Sequence, residues 1–398
     1  MKPMPLVLRK DQERRLLAGH CWVYSNEVDT AATPLKDLAP GQPVEILSDH
    51  ERWIGHGYVN PHSLICARLV SRERNHPLTP ALWLARLHEA LALRERLYHR
   101  PFYRLIYGES DGLPGLVVDR YRDLLAVQFT TAGMERVRGE VLAALEQVLK
   151  PSAIVLRNDT AVRELEGLPQ GVETVLGEPA DALILTEHEL DFQVSPLTGQ
   201  KTGWFFDQAE NRTRLARFGV GDRVLDVCSY IGAWGLRAAS LGAGQVTCVD
   251  TSRGALERVA DNAERNRLGA HVHPLQGDAF EVLRGLRDEG RLFDTVILDP
   301  PAFIKRRKDE KEGLHAYARL NRLGIELLEP GGLLVTSSCS FHLGREVFLR
   351  TVQQAARRAG RFLQLLETGQ QGPDHPVHPA IPETAYLKTL FLRVLPGF

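Results

Sequence analysis

Three carboxylates and one thiol sit at the ends of short apolar runs in the C-terminal half of the chain: Asp250, Asp278, Asp299 and Cys339. Polar groups at the ends of buried strands cost stability unless they are hydrogen-bonded, so several at matching places point to a ligand. Each residue type suits one contact. A carboxylate accepts both hydrogens of a diol at once, which fits Asp250 to a ribose. Asp278, with the backbone amide of Ala279 after it, suits an adenine edge. Asp299 opens Asp299-Pro300-Pro301-Ala302-Phe303, where prolines stiffen the loop and a carboxylate and a carbonyl can accept from a base amino group. Cys339, in Ser338-Cys339-Ser340, offers a thiolate that can add to a ring carbon. Bland readings stand beside these. A D-P-P run can simply end a strand, and cysteine is among the most often buried residue types.

Residues 222–252 are the stretch that must position this set. Residues 224–228 form an apolar run too short for a helix and suited to a buried parallel strand. Ser229-Tyr230-Ile231-Gly232 follows as a turn, 233–241 as a helix closed by Gly242 and Gly244, and 245–249 as a second strand. Asp250 ends that strand 18 positions after Gly232, with Thr251 and Ser252 behind it. Further strands are expected around 274–277, at 293–298 and at 332–337, with helices between them. Residues 386–394 are expected to close one edge of the sheet. In open α/β sheets ligands bind beyond the carboxyl ends of the strands. That rule gathers Ser229, Tyr230, Gly232, Asp250, Thr251, Ser252, Asp278, Ala279 and Asp299 along one rim. The chain has no G-x-G-x-x-G here, which argues against a pyrophosphate cradle and a nicotinamide enzyme. An ordinary strand-turn-helix with a tight glycine turn is the alternative.

The first half reads differently. A length of 398 residues predicts two or three domains. Residues 1–73 carry short alternating runs split by Pro, Gly and Asn, which is a small β module. Within it Arg14 and Arg15 precede His20, Trp22 and Tyr24, an interleaving that suits phosphate contact with base stacking. A solvated helix end leading into a core strand explains the same stretch. Residues 74–190 read as an α+β segment with helices at about 79–98 and 134–149. Its Glu109-Ser110-Asp111-Gly112 run is expected to be a turn capped by its own acids. Residues 191–398 form the third segment.

A formal net charge of −1 argues against a wholesale polyelectrolyte but leaves room for a local basic face. Lys305-Arg306-Arg307-Lys308, directly after the D-P-P loop, is such a face or else a solvated helix start. The five cysteines form no C-x-x-C pair, so disulfides and a zinc site are not expected. Cys228 and Cys248 are expected inside strands, packed in the core. His375 and His378 read as loop residues rather than metal ligands. With no apolar run of membrane-spanning length and no signal-like start, a cytoplasmic location is the default expectation.

S-Y-x-G after a strand carrying an acid, and D-P-P-x-F, look like motifs I and IV of S-adenosylmethionine (SAM) methyltransferases. With AGHCWVYSNEV, GESDGLPGLVVDRY, KTGWFFDQAENR, DPPAFIKRRK, SSCS and IPETAYLKTLFLRV, the chain resembles the bacterial large-subunit ribosomal RNA methyltransferases that make 5-methylcytosine with SAM. The likeness runs along essentially the whole chain. It implies an α/β protein: a PUA-like RNA-binding β domain at 1–73, a central α+β domain at 74–190, and a Rossmann-like class I methyltransferase domain at 191–398. It implies Cys339 as nucleophile and Asp299 as the acid that holds the base. It further implies SAM on the rim residues, Asp299 included, with Gln208 and Arg212 at its carboxylate, and RNA on Pro300, Pro301, Phe303, Lys305, Arg306, Arg14 and Arg15. Ribosomal RNA is the expected partner, no metal or membrane is expected, and a homodimer is left open. Two positions depart from relatives: Ala209 where many have arginine, and Ala302-Phe303 where many other 5-methylcytosine enzymes have a second cysteine. Rival readings are a base-nitrogen methyltransferase, which needs no thiol, and a non-catalytic RNA-binding assembly factor.

Overall fold

A computed structural model of the chain describes residues 3–397. They group by contact into two compact units rather than strictly in chain order: 3–183 with 194–206 and 373–384, and 184–193 with 207–372 and 385–397.

The first unit holds two five-stranded sheets. The N-terminal one runs Met4–Val7, Gln42–Leu47, Trp53–Val59, Ile65–Ser71, Trp22–Tyr24 in spatial order. Inward residues alternate with half-exposed ones in Trp22–Tyr24 (Val23) and Gln42–Leu47 (Val44, Ile46), as the period of two requires, whereas Trp53–Val59 and Ile65–Ser71 are buried almost throughout. The second sheet runs Val172–Leu176, Ala153–Arg157, Leu124–Phe129, Leu116–Tyr121, Phe102–Tyr107. Helices Pro80–Leu97 and Arg138–Leu149 pack with it into one core. The expected helix at 134–149 is split: Ala132–Arg136 ends where Val137 leaves helical geometry, and a new helix starts at Arg138. Asp111 does more than cap its turn. It accepts from the Tyr107 amide at 2.6 Å and takes both guanidinium arms of the fully buried Arg94 at 2.6 and 2.8 Å.

The second unit is a doubly wound sheet. Its strands are β1 (Arg223–Val227), β2 (Gln245–Asp250), β3 (Val272–Gln276), β4 (Phe293–Leu298), β5 (Leu328–Ser338), β6 (Arg361–Gly369) and β7 (Lys388–Pro396). The order is β3-β2-β1-β4-β5-β7-β6, parallel from β3 to β5 and antiparallel on both sides of β7. Helices α1 (Ala233–Ser240), α2 (Arg253–Arg265), α3 (Ala279–Asp288), α4 (Glu310–Glu326) and α5 (Arg345–Arg358) fill the crossovers. The expectation that the last apolar run closes an edge is corrected. β7 lies inside the sheet, with every residue from Lys388 to Phe391 buried, and β6 is the edge. The sequence hid β6 because an edge strand exposes much of both faces; Phe362, Leu365 and Leu366 are all exposed.

Reversal of strand order between β1 and β4 opens the crevice where such sheets take ligands. At that point α1 must approach β1 and β2 closely, and Gly235 permits it. Its amide donates to Asp226 Oδ2 at 2.8 Å, and an added Cβ would collide with Cys248 Sγ. Gly235→Ala is therefore expected to destabilise by about 1–3 kcal/mol, the usual cost of overpacking. Adding Cys248→Ala vacates the space, so the double variant should be more stable than additivity predicts. Denaturant titration of the four proteins checks this; strict additivity would show that the sulfur is not what the new methyl meets.

Candidate active site

Why the rim forms where it does follows from the β1–α1 turn. Three residues in five take positive φ: Cys228 at 63°, Tyr230 at 49° and Gly232 at 87°. Only glycine does so without penalty, and each of the other two costs on the order of 1–3 kcal/mol unless surrounding contacts impose it. Asp250 is one such contact. Its Oδ2 accepts from the Tyr230 amide at 2.9 Å and its Oδ1 from the Ser252 amide at 2.9 Å. The acid at the end of β2 thus pins both the first turn and the start of α2. Ser252 also caps α2 through its hydroxyl, 3.2 Å from the Ala255 amide. Asp278 caps α3, accepting at Oδ1 from Phe280 and Glu281 amides, and Ala279 begins that helix. Thr251 is exposed and its carbonyl accepts from Gln276.

Asp299 stands at the switch point. Its Oδ1 accepts from Gln208 Nε2 at 2.9 Å and its Oδ2 from Trp234 Nε1 at 3.1 Å. Withdrawal from water, reinforced by the Asp207 charge, pushes this carboxyl up to about 6, and the two N–H donors hold it back from rising further. Asp226, within β1 and fully buried, is pushed up to about 8 by burial and by Asp299 and Asp250, against the pull of the Gly235 amide. It therefore carries a proton at neutral pH. Arg212 is buried and gives its Nη2 to Glu187 Oε2 at 2.7 Å, with Nε on the other oxygen. A ligand carboxylate would share that guanidinium with Glu187.

Cys339 is half-buried just past the end of β5, and its Sγ lies 4.0 Å from the carbonyl oxygen of Pro300. The thiol and the D-P-P loop, 39 residues apart, are thus neighbours. Pro300 is buried and Pro301 exposed. Phe303 packs on Tyr317 with ring centroids 4.8 Å apart, and the Ile304 amide donates to Ser340 Oγ at 3.0 Å, tying the two loops together. Lys305 and Arg306 are exposed, Arg306 pairing with Asp309 at 3.1 Å. In the other unit Arg14 is exposed beside Asp11, and Arg15 binds Glu27 at 2.6 Å with its guanidinium over the Tyr24 ring.

Cys248 packs in the core as expected, whereas Cys228 does not belong to the strand. It is the half-buried first residue of the rim turn, and burial among Asp250, Asp299, Asp226 and Asp278 pushes its thiol up to about 12. Two groups escaped the sequence reading. Trp234 counted only as a helix residue, yet its indole holds Asp299. Lys388 lay unnoticed in an apolar run, and its Nζ donates to the Ser340 carbonyl at 2.6 Å beside Cys339. A lysine at the buried start of a mostly apolar strand was the available signal. Among the described residues no group of three or more His, Cys, Asp or Glu is placed to hold a metal, and no helix is long and apolar enough to cross a membrane.

Residues 144–393 match the sequence model of the S-adenosylmethionine-dependent methyltransferases, and residues 6–72 that of a PUA-like domain. Proteins named ribosomal RNA large subunit methyltransferase I from Klebsiella pneumoniae and Cronobacter sakazakii are each 37% identical over 395 residues, spanning 98% of this chain and 98–99% of theirs. The chain belongs to this family of SAM-dependent methyltransferases. A methyltransferase solved with S-adenosylhomocysteine, SMU.776, shares the fold at a TM-score of 0.83 and 22% identity, covering 98% of this chain and all of that one. A second, from Streptococcus mutans, gives 0.82 and 21% over the same extent.

The rim suits SAM on its own terms. Ser229 is buried, yet its Oγ has no hydrogen-bond partner, an uncompensated cost that a polar ligand would remove. Gly232, where a Cβ would come within 2.7 Å of Leu236, keeps the turn bare. In this methyltransferase Ser229, Tyr230, Gly232 and Asp250 would hold the nucleoside part, the acid accepting from the ribose.

Asp226 makes a pH prediction. A carboxyl whose folded value, about 8, lies above its ordinary value near 4 binds its proton more tightly in the folded state. Stability is then full below about pH 4 and falls as pH rises to about 8. Asp226→Asn keeps the acceptor for Gly235 without ionising. Its melting temperature should fall less than the parent's between pH 5.5 and 8.5, by on the order of a few degrees. Parallel curves for both proteins would sink this assignment.

Proposed function

We propose that this methyltransferase modifies carbon 5 of a cytosine in large-subunit ribosomal RNA, with Cys339 as covalent nucleophile. The names of its 37%-identical relatives support ribosomal RNA as substrate. The PUA-like match at 6–72 supports RNA binding by the N-terminal part. Segments 1–73, 74–190 and 191–398 are taken as the RNA-binding, central and catalytic divisions. The observation that carries the cytosine reading is the thiol beside the D-P-P loop: Cys339 Sγ is 4.0 Å from the Pro300 carbonyl.

Carbon 5 of cytosine is a weak nucleophile. Bound SAM supplies an electrophilic methyl group, and the chain's own residues must supply the nucleophile's activation. Addition of the Cys339 thiolate at carbon 6 forms a carbon–sulfur bond and shifts the ring electrons toward carbon 5, which can then take the methyl group. Loss of the proton at carbon 5 restores the double bond, and the sulfur leaves as thiolate. Asp299, whose carboxyl is pushed up to about 6, can hold the pyrimidine in either protonation state near neutrality. Pro300, Pro301 and Phe303 form the wall for the base, presented out of its stack. Lys305 and Arg306 stand exposed for phosphates, and Arg14 and Arg15 serve the same purpose in the N-terminal module. Gln208 and Arg212 are assigned to the cofactor's carboxylate end, Thr251 and Ser252 to its ribose side, and Asp278 with Ala279 to its adenine.

Cys339→Ala should cut methyl transfer by at least about 10³-fold while SAM affinity stays within a few-fold. RNA carrying 5-fluorocytosine should form a denaturant-resistant adduct with the parent protein and none with Cys339→Ala. A base-nitrogen enzyme would form no adduct with either protein. Full activity of Cys339→Ala refutes the covalent route.

A further inference from the structure

One buried cation faces the proposed nucleophile from the neighbouring strand. Lys388 opens β7, pairs across the antiparallel ladder with Ser338, and is 5% exposed. Its Nζ donates to the Ser340 carbonyl at 2.6 Å, so it is tied to the residues on both sides of Cys339. The next pair in the ladder, Ser337 and Thr389, is joined by its hydroxyls at 2.9 Å. Among the described residues no carboxylate pairs with Lys388. A buried ammonium satisfied by one neutral carbonyl is expensive, and a lysine is seldom kept in that state without a function.

We propose that Lys388 is the positioning residue that holds Cys339 as a thiolate and fixes the turn carrying it. The proposal rests on the reading of Cys339 as nucleophile. When the thiol ionises, its S–H bond breaks, the electron pair stays on sulfur and the proton leaves to water. The ammonium keeps its three hydrogens and supplies the opposite charge. Desolvation, partly offset by Cys339 and aided by Arg345 at the start of α5, brings Lys388 down to about 8. From α4, the Tyr317 hydroxyl joins Ser338 and Ser340 Oγ at 2.9 Å each, and burial, with the Cys339 charge behind it, raises that phenol. Lys388 is thus the cation that turns the balance at the sulfur. Because Lys388 itself loses charge as pH rises through about 8, its support is greatest below that pH and fades above it.

Iodoacetamide alkylation of the full-length protein across pH 6–10, read by mass spectrometry on the Cys339 peptide, tests this without RNA or SAM. An ordinary thiol ionises near 8.5, and the parent's Cys339 should show a midpoint below that value. Lys388→Met should raise the midpoint by about one unit, slowing alkylation about tenfold at pH 7, while Lys388→Arg stays close to the parent. SAM binding and melting temperature establish that each variant is folded. A Lys388→Met profile that overlays the parent's overturns the proposal. Should that variant not fold, a parental midpoint at or above 8.5 overturns it instead. The fluorocytosine adduct is read separately. A low, Lys388-dependent midpoint without adduct sinks the cytosine chemistry and leaves the cation's role standing, whereas an adduct with an unshifted midpoint sinks the role of Lys388.

Discussion

The Asp299 carboxyl, gripped between the Gln208 amide and the Trp234 indole, is the interaction on which the rest of the rim depends. It joins three separate pieces of chain: the short turn before residue 209, the first helix of the sheet domain, and the loop after β4. A carboxyl taken out of water must be hydrogen-bonded or protonated, and this one takes two N–H donors and still rises to about 6. Its position is therefore over-determined. The loop that follows inherits the order, since Pro300 is buried behind it and the Ile304 amide is anchored on Ser340. Through that anchor the fourth and fifth strands present their loops as one surface.

Acids accumulate along this edge, and the cost shows in their protons. Asp226 and Asp299 both rise, each partly because of neighbouring carboxylates, and the Cys228 thiol rises with them. A rim of this kind favours a ligand that brings hydroxyls for Asp250 and positive charge for the cluster, and a sulfonium nucleoside brings both. The strained turn fits the same account. Positive φ at Cys228 and Tyr230 is tolerated because Asp250 holds the Tyr230 amide, so the residue that would contact the ribose also pays for the shape of the cradle.

Strand ends in the parallel half were legible because buried parallel strands read as short apolar runs: 293–298 was located to the residue. The acids stood out as polar groups at the ends of such runs, and Asp250 and Asp278 find partners there in the backbone amides that open the next turn and helix. What the sequence concealed was pairing at a distance. Nothing in residues 361–369 announces an edge strand, since exposure on both faces erases the alternation, and without it the last strand was assigned to the border. Trp234 and Lys388 were missed for a related reason. An indole inside a helix and a lysine inside an apolar run take their meaning from partners 65 and 48 residues away.

The two half-buried thiols show how far environment outweighs residue type. Cys228 and Cys339 both follow directly on parallel strands, at the carboxyl edge where chemistry is expected. Around Cys228 stand four aspartates, and with burial they keep its proton in place up to about 12. That sulfur is inert near neutrality. Cys339 instead has a buried ammonium across the strand pair, set against the Pro300 carbonyl, which accepts from the protonated thiol. Reversing the direction of the last strand is what delivers that ammonium: only an antiparallel neighbour places its first residue level with the last residue of β5. The topology that sets β7 apart from the other strands in the sheet thus places a buried cation beside one sulfur of the pair, while the other lies among carboxylates.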